Sequence, residues 1–533
     1  PDQTKDLANV LKSGKMPAPT RIVQEDVVGP SLGQVVIKNG MISFIIAFVF
    51  VLLYMILYYG VIPGLVADLG LLLNVFFMFG IMASFQSVLT LPGIAGIILT
   101  IGMAIDANVL IYERTREELV AGKNLKKAIA DGYKNAYSAI LDGNITTLLT
   151  GIVLFVFGTG PIKGFATTLI IGIITTLFTS IFITRLIFER VMAKENMPNM
   201  KFTTNITKNW FKNCNFDFIK TRKIGYIISG VVMAIAIISL ATKGLKQGID
   251  FSGGRNYVIR FEQSVDNIDD IRENLDNVFT GSQVSVITMG SSNQIRFSTN
   301  YEITNTSENI DKQIERMLYN ALKEQSLLAP EVTEQLFVEG YVVKDGIYQT
   351  DNNTGETSYG LLSTQKVGPT VAADIKISAI WAILLSLVVI GLYILMRFRD
   401  FGFSIGTIVA LIHDTLFIFG IYSIFSSILP FSLEIDQTFI AAILTIIGYS
   451  VNDTVVIFDR IRENVGLYPK RDKKSLFNIS LNSTLGRTFS TSLSTILTVL
   501  AMFIFGGETI RGFLFAMLAG IVVGVYSTLF VAV

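Results

Sequence analysis

Asp106 stands inside the apolar run LTIGMAIDANVLIYER, eight residues before Arg114. On a helix that spacing sets its carboxyl roughly 12 Å above the arginine. Asp453 stands in the same way in IIGYSVNDTVVIFDR, beside Asn452. A charge at such a depth in hydrocarbon costs at least ~2.5 kcal/mol. Residues of this kind either relay protons or ions, or pair permanently with another helix. Arg487, in STLGRTFSTSLST, is the natural counter-charge, although an arginine early in a span also snorkels to the interface. The hydroxyls that follow it (Thr488, Ser490, Thr491, Ser492, Ser494, Thr495) would line a hydrated path. His413-Asp414 lies about 11 residues into another apolar run and could either join a relay or hold two helices together. Asn108, Asn452 and Asp142 complete the candidate proton-path set of Asp106, Asp453, Arg487, His413 and Asp414.

The elements that must position these groups are membrane spans. The chain is 51% hydrophobic and 16% charged, against about 25% charge in soluble domains. About 20 apolar residues cross a bilayer core. Eleven such spans can be placed, at about 40–59, 65–86, 91–112, 137–158, 164–188, 224–242, 374–396, 402–425, 437–458, 485–505 and 510–533. Segments 113–136, 189–223, 397–400 and 459–483 carry 6, 8, 2 and 6 Lys/Arg, whereas the short connections 87–90, 159–163, 426–436 and 506–511 hold only Lys163 and Arg511. The basic side is therefore expected to face the cytoplasm, with the C-terminus inside and residues 1–38 and 243–372 outside. Segments 113–136 and 459–483 are amphipathic and basic, and are expected to lie along the inner membrane surface.

Residues 243–372 form the sizeable soluble segment and are acidic by seven charges. Strand and helix periods alternate along it: strand 256–262, helix 267–279, strands 283–289 and 294–299, helix 306–326, strand 358–366. This β-α-β-β-α-β order predicts a ferredoxin-like α+β domain, with 330–357 as an inserted excursion. Gly248–Gly254 lacks the lysine of a phosphate-binding loop and reads as a tight lead into the first strand. One cysteine, Cys214, allows no intrachain disulfide. No nucleotide site, catalytic triad or metal cluster is visible, so the reading is of a non-enzymatic protein without a cofactor.

The chain repeats itself. Val28-Gly29-Pro30 recurs as Val367-Gly368-Pro369, and LLLNVFFMFG as LIHDTLFIFG. GMAIDANVLIYERTRE recurs as GYSVNDTVVIFDRIRE, and FGTGPIKGF as FGGETIRGF. Each pair enters the membrane in the same direction, which predicts two parallel-repeat helix bundles. In this register Asp106 meets Asn452 and Asp453 meets Ala107, so the halves are not equivalent. Gly102 and Gly448 stand one turn above, where small residues permit close helix approach and would bring the two carboxylates together. Two carboxylates sharing a dry site cannot both stay ionised cheaply. The expected organisation is a 1–38 stub of a first external domain, a membrane half at 39–188, a linker at 189–223, a span at 224–242, the soluble domain at 243–372 and the remaining spans at 373–533.

At these residues the chain resembles the bacterial SecD/SecF protein-export family of the resistance-nodulation-division superfamily, fused into one polypeptide. GMAIDANVLIYERTREEL and ILDGNITTLLTG carry the SecD likeness. GIDFSGG, ALIHD, IIGYSVNDTVVIFDRIREN and Gly486-Arg487-Thr488 carry the SecF likeness. The resemblance covers about 27–533 and implies a proton-motive-force-driven accessory subunit of the Sec translocase in the inner membrane. It implies the SecYEG channel and SecA-dependent preproteins as partners, with YajC and YidC as further candidates, and Asp106, Asp453 and Arg487 as proton-path residues. It also implies a twelfth span and a large external head before residue 1. The alternative reading is a proton-coupled exporter of small molecules or lipids from the same superfamily.

Overall fold

The computed structural model describes residues 24–28, 30–193, 200–208, 210–211, 214–265, 267–305, 309–351, 357–426, 428–429 and 431–533. The chain divides into two compact units. One combines the described part of Pro1–Gly33 with Ile249–Ile375, and the other combines Gln34–Gly248 with Lys376–Val533.

The larger unit is helical. Eleven of the described helices are long and apolar enough to cross a membrane. They are α1 (Pro30–Tyr59), α2 (Val61–Ser84), α3 (Leu91–Val120), α4 (Leu125–Phe157), α5 (Gly160–Met192) and α6 (Phe218–Thr242), then, beyond the soluble unit, α11 (Pro369–Phe398), α12 (Phe401–Phe425), α13 (Gln437–Leu467), α14 (Lys473–Phe505) and α15 (Arg511–Phe530). Helices α1–α5 and α11–α15 are repeat mates, and their caps repeat too. The side chain of Thr90 caps α3 on Gly93 N, and that of Asp436 caps α13 on Phe439 N. Asn124 caps α4 and Asp472 caps α14 in the same fashion. Each supplies an acceptor to otherwise orphaned N–H groups.

Two expectations about these helices change. The basic segments 113–136 and 459–483 are not separate surface helices. Residues to Val120 continue α3, and residues from Leu125 begin α4. Likewise α13 runs to Leu467 and α14 starts at Lys473. No helix breaker interrupts these runs, and the extensions pack on one another. A methyl group on Gly132 would lie 2.2 Å from Thr115 Oγ1. The paired helices thus project past the apolar zone as two hairpins.

Helices α3 and α13 are the most enclosed, each with 94% of its most apolar window buried, against 17–56% for the others. Each packs on its own half's next helix and on that of the other half: α3 on α4 and α14, α13 on α14 and α4. The two central glycines make these crossings possible. A methyl at Gly102 would lie 2.7 Å from Thr498 Oγ1 and 3.2 Å from Thr495 Cα, and one at Gly448 would lie 2.4 Å from Thr150 Oγ1 and 3.2 Å from Thr147 Cα. The glycines therefore admit α14 and α4, rather than bringing α3 and α13 directly together as the sequence suggested.

The smaller unit holds β1 (Gln24–Val28), the single turn α7 (Ile249–Ser252), β2 (Gly254–Arg260), α8 (Ile268–Val278), β3 (Val284–Met289), β4 (Ser291–Thr299), α9 (Ile310–Glu324), α10 (Glu334–Glu339), β5 (Tyr341–Lys344), β6 (Ile347–Thr350) and β7 (Gly360–Val367). The antiparallel sheet runs β1-β7-β2-β4-β3. Its last four strands have the ferredoxin-like order, and α8 and α9 bury Ile271, Leu275, Ile314 and Leu318 with Tyr257, Ile259, Ile295 and Phe297 from the sheet. The inserted segment supplies α10 and the β5–β6 hairpin. Of the 1–38 stub, residues 1–23 and Gly29 lie outside the described residues, while Gln24–Val28 adds an edge strand to β7. The glycine-rich lead into β2 needs its glycines: Gly253 has φ +71°, and a methyl at Gly254 would lie 2.8 Å from Thr299 O.

Candidate functional site

Asp106 lies midway along α3 and Asp453 midway along α13, both buried. Arg487 of α14 is buried as well, 6% exposed. The three groups are near enough to act on one another's charge. Yet both carboxylate oxygens of Asp106, Oδ1 of Asp453 and all three guanidinium nitrogens of Arg487 lack a protein hydrogen bond. Thr491 and Ser492, one turn beyond Arg487, stand beside Asp453. Buried charges without direct partners are costly, and such groups mark places that exchange protons or water. A permanent structural ion pair would instead close to hydrogen-bond distance.

The site is asymmetric, as the repeat register predicts. Asn452, mate of Asp106, leans on Gly143 of α4, where a methyl would meet its Oδ1. Asn108 is buried two residues, about half a turn, after Asp106, with Oδ1 unpartnered in the protein. Arg487's mate is Ala139, so only one half supplies a cation.

Asp142 is held apart from the central three. Arg397 of α11 binds both its carboxylate oxygens through Nε at 2.8 Å, and Tyr393 donates to Oδ1 at 2.8 Å. Repeat mates make the mirrored contact: Tyr54 of α1 meets Ser490 of α14, hydroxyl to hydroxyl, at 2.6 Å. The same cross-half joint is thus ionic on one side and neutral on the other.

His413 and Asp414 also form a separate group. His413 Nδ1 lies 3.1 Å from Asp414 Oδ1, and Asp414 Oδ2 accepts from Ser450 of α13 and Ser527 of α15, both at 2.8 Å. Asp414 is satisfied, and it ties α12 to two neighbours. Its mate Asn74 makes a neutral tie to a single neighbour, α5, donating to Thr176 at 2.6 Å and accepting from Thr175 at 2.9 Å.

Glu113 is a residue the sequence reading missed. It stands seven residues after Asp106, two turns down the same face of α3. Its Oε1 has no hydrogen bond, and its ion pair with Arg116 is long at 3.7 Å. The mate pair Asp459–Arg462 closes to 2.6 Å. Glu113 and Arg487 both line a cavity of about 600 Å³ at the end of the bundle where the 200–217 linker crosses. The spacing from Asp106 was the available signal, but a glutamate among arginines at a helix end resembles an ordinary solvated face.

Below the aspartates, α3 and α13 meet through a square of charges. Arg114 pairs with Glu117 at 3.0 Å and with Glu463 at 3.2 Å. Arg460 pairs with Glu463 at 3.0 Å and with Glu117. Arg114 and Arg460 are repeat mates, as are Glu117 and Glu463, so each half offers the other the same two groups.

A model of the protein-export membrane protein SecD/SecF C-terminal region matches the chain twice, at residues 9–194 and 347–533, which coincide with the two repeats. A SecD/SecF GG-motif model matches 238–265, around Gly253-Gly254. The chain is similar to the protein translocase subunit SecDF of Bacillus subtilis, at 31% identity over 99% of this chain and 68% of the relative. It is likewise similar to that of Brucella abortus, at 31% identity over 99% of this chain and 64% of the relative. The chain thus spans about two thirds of the length of these relatives. A crystal structure of SecDF from Thermus thermophilus, described as translocon-associated, superposes with a TM-score of 0.81 at 33% identity, over 100% of this chain and 66% of that one. On its two repeats, its GG motif and its fold, the chain belongs to the SecD/SecF family of protein-export membrane proteins.

Proposed function

We propose that this chain carries the proton-driven membrane machinery of a Sec translocase accessory subunit, acting beside the SecYEG channel on SecA-dependent preproteins, with YajC and YidC as candidate associates. The observation that carries the reading is the Asp106–Arg487–Asp453 arrangement: three buried charged groups, Asp106 and Arg487 without a protein hydrogen bond and Asp453 with one oxygen unpartnered, at the junction of two parallel repeats. A proton taken up by either aspartate changes its attraction to Arg487, which sits on the helix that crosses to α3. Proton loading therefore biases how the two halves pack. Glu113 and the linker-end cavity support a route to one aqueous side, and the Lys/Arg distribution favours the cytoplasm of an inner membrane for that side. Each proton moving through 100 mV supplies about 2.3 kcal/mol, enough to bias a two-state rearrangement about fiftyfold.

The test is preprotein translocation into inverted membrane vesicles carrying the full-length protein, with and without a proton gradient. Asp106→Asn is expected to remove the gradient-dependent part and leave the ATP-dependent part. An Asp106→Asn protein that keeps the gradient-dependent part overturns the reading. Loss of resistance to dyes or detergents with export untouched would instead mark a small-molecule exporter.

A further inference from the structure

The linker-end cavity holds more positive charge than a proton route needs. Its walls carry Arg114, Arg116, Lys201, Lys208, Arg460 and Arg487, against the acids Glu113 and Glu117. Arg114 and Arg460 are occupied by the Arg/Glu square, and Arg116 donates to the backbone oxygen of Lys208 at 3.1 Å. Among the described residues the ammonium groups of Lys201 and Lys208 meet no carboxylate, and Arg487 adds a further positive charge to the same wall, its guanidinium nitrogens buried behind it. Asn482, Ser483 and Thr484, one turn before Arg487 on α14, line the same wall with donors already committed to backbone oxygens.

We propose that this cavity binds a phosphate-bearing anion. Flexible ammonium groups with no carboxylate partner, backed by a buried guanidinium, are suited to phosphate. The volume of about 600 Å³ exceeds one bare phosphate and suits a glycerophosphate-sized group. Basic pockets between membrane helices take lipid head groups by this means. The rim is apolar: Trp210 and Phe211 border the cavity, pack on Phe489 at 6.1 and 5.3 Å, and leave part of each ring exposed. The anion can come from an anionic phospholipid of the adjoining leaflet or from a soluble phosphate.

The chain's two tryptophans make the test direct. With Trp381→Phe, Trp210 is the sole indole reporter. The full chain is reconstituted in phosphatidylcholine vesicles with increasing phosphatidylglycerol, and separately in pure phosphatidylcholine vesicles titrated with inorganic phosphate. The expected result is a saturable change in Trp210 emission. Lys201→Gln with Lys208→Gln is expected to shift its midpoint by roughly tenfold or more, and Lys201→Arg with Lys208→Arg to restore it. A response to phosphatidylglycerol alone identifies a lipid head group, and a response to inorganic phosphate identifies a soluble anion. No saturable response to either, or a response indifferent to the glutamine pair, overturns the proposal. The site shares Arg487 with the proton path but does not rest on that reading. An Asp106→Asn protein that exports normally would sink the proton path and leave the Trp210 titration unchanged.

Discussion

Arg487 serves two acids and makes a direct hydrogen bond to neither, which leaves its balance open to a single proton. Glu113 stands in the cavity between that balance and water. Glu113→Gln is expected to slow gradient-driven translocation about a hundredfold, the low end of the range for losing one positioned proton-transfer group, while ATP-driven translocation stays unchanged; the vesicle assay reads both. The soluble unit offers a separate residue-scale test. Arg255 is buried and donates to Asp311 at 2.7 Å, and Lys366 donates to the same carboxylate at 2.6 Å. Burial acts against the ionised form of Asp311, but Lys366 and Arg255 outweigh it and hold its carboxyl below the ordinary carboxylate range. Its contribution is therefore complete above the unfolded value near pH 4 and is lost as pH falls through the lower folded value. Asp311→Asn is expected to destabilise the unit by about 1.5 kcal/mol, at the low end because the carboxylate is partly exposed, with the deficit vanishing in strong acid. Melting curves across pH check this. Asp106 and Asp453 were legible in sequence because each is a lone charge in an apolar run. The partner of Asp142 was not, because Arg397 lies 255 residues away and looks like an ordinary interfacial arginine.

Among the elements, α3 and α13 carry the chemistry, and α4 and α14 decide how far apart they stand. Gly102 and Gly448 fix that distance. Gly102→Val or Gly448→Val forces the facing threonines away and is expected to cost 1–3 kcal/mol, seen as a lower melting temperature in detergent and a loss of gradient-driven export. Gly80→Val is the control, since a methyl there meets nothing within 4 Å. The spans and their order were legible because apolar length has a direct physical meaning in a bilayer. The hairpin extensions were not. Their amphipathic pattern is the same whether a helix rests on a membrane surface or on its neighbour, and the close Gly132–Thr115 approach and the Asn135–Glu118 and Asn464–Ser480 hydrogen bonds distinguish the two.

Over the whole molecule, two repeats meet through joints that are geometrically alike and chemically unlike. The ferredoxin-like strand order and the repeat were both legible, since each rests on periodicity and collinear motifs. The added edge strand Gln24–Val28 was not, because pairing with Val367–Ser363 leaves no mark in a segment of mixed polarity. Exchanging the charges of the cross-half joint, Asp142→Arg with Arg397→Asp, is expected to recover most of the stability that either single change removes. Breaking one partner of a buried pair costs about 3–5 kcal/mol, and a double-mutant cycle on melting temperature measures the recovery. If the double variant is no better than the worse single one, the joint is not ionic in the folded protein.

The Arg114–Glu117–Arg460–Glu463 square has a consequence for assembly. Either half could build the same square with a second copy of itself, so the square cannot tell self from partner. Discrimination falls to the mirrored joint. Two first halves would set Asp142 against Tyr54 and Tyr58, the mates of Tyr393 and Arg397, with no cation. Two second halves would set Arg397 against Ser490, with no acid. Only unlike halves satisfy both sides at once. If the chain were severed within the 200–217 linker, the fragments should therefore find each other as a heterodimer in preference to either homodimer, with a single aspartate and a single arginine as the matching code.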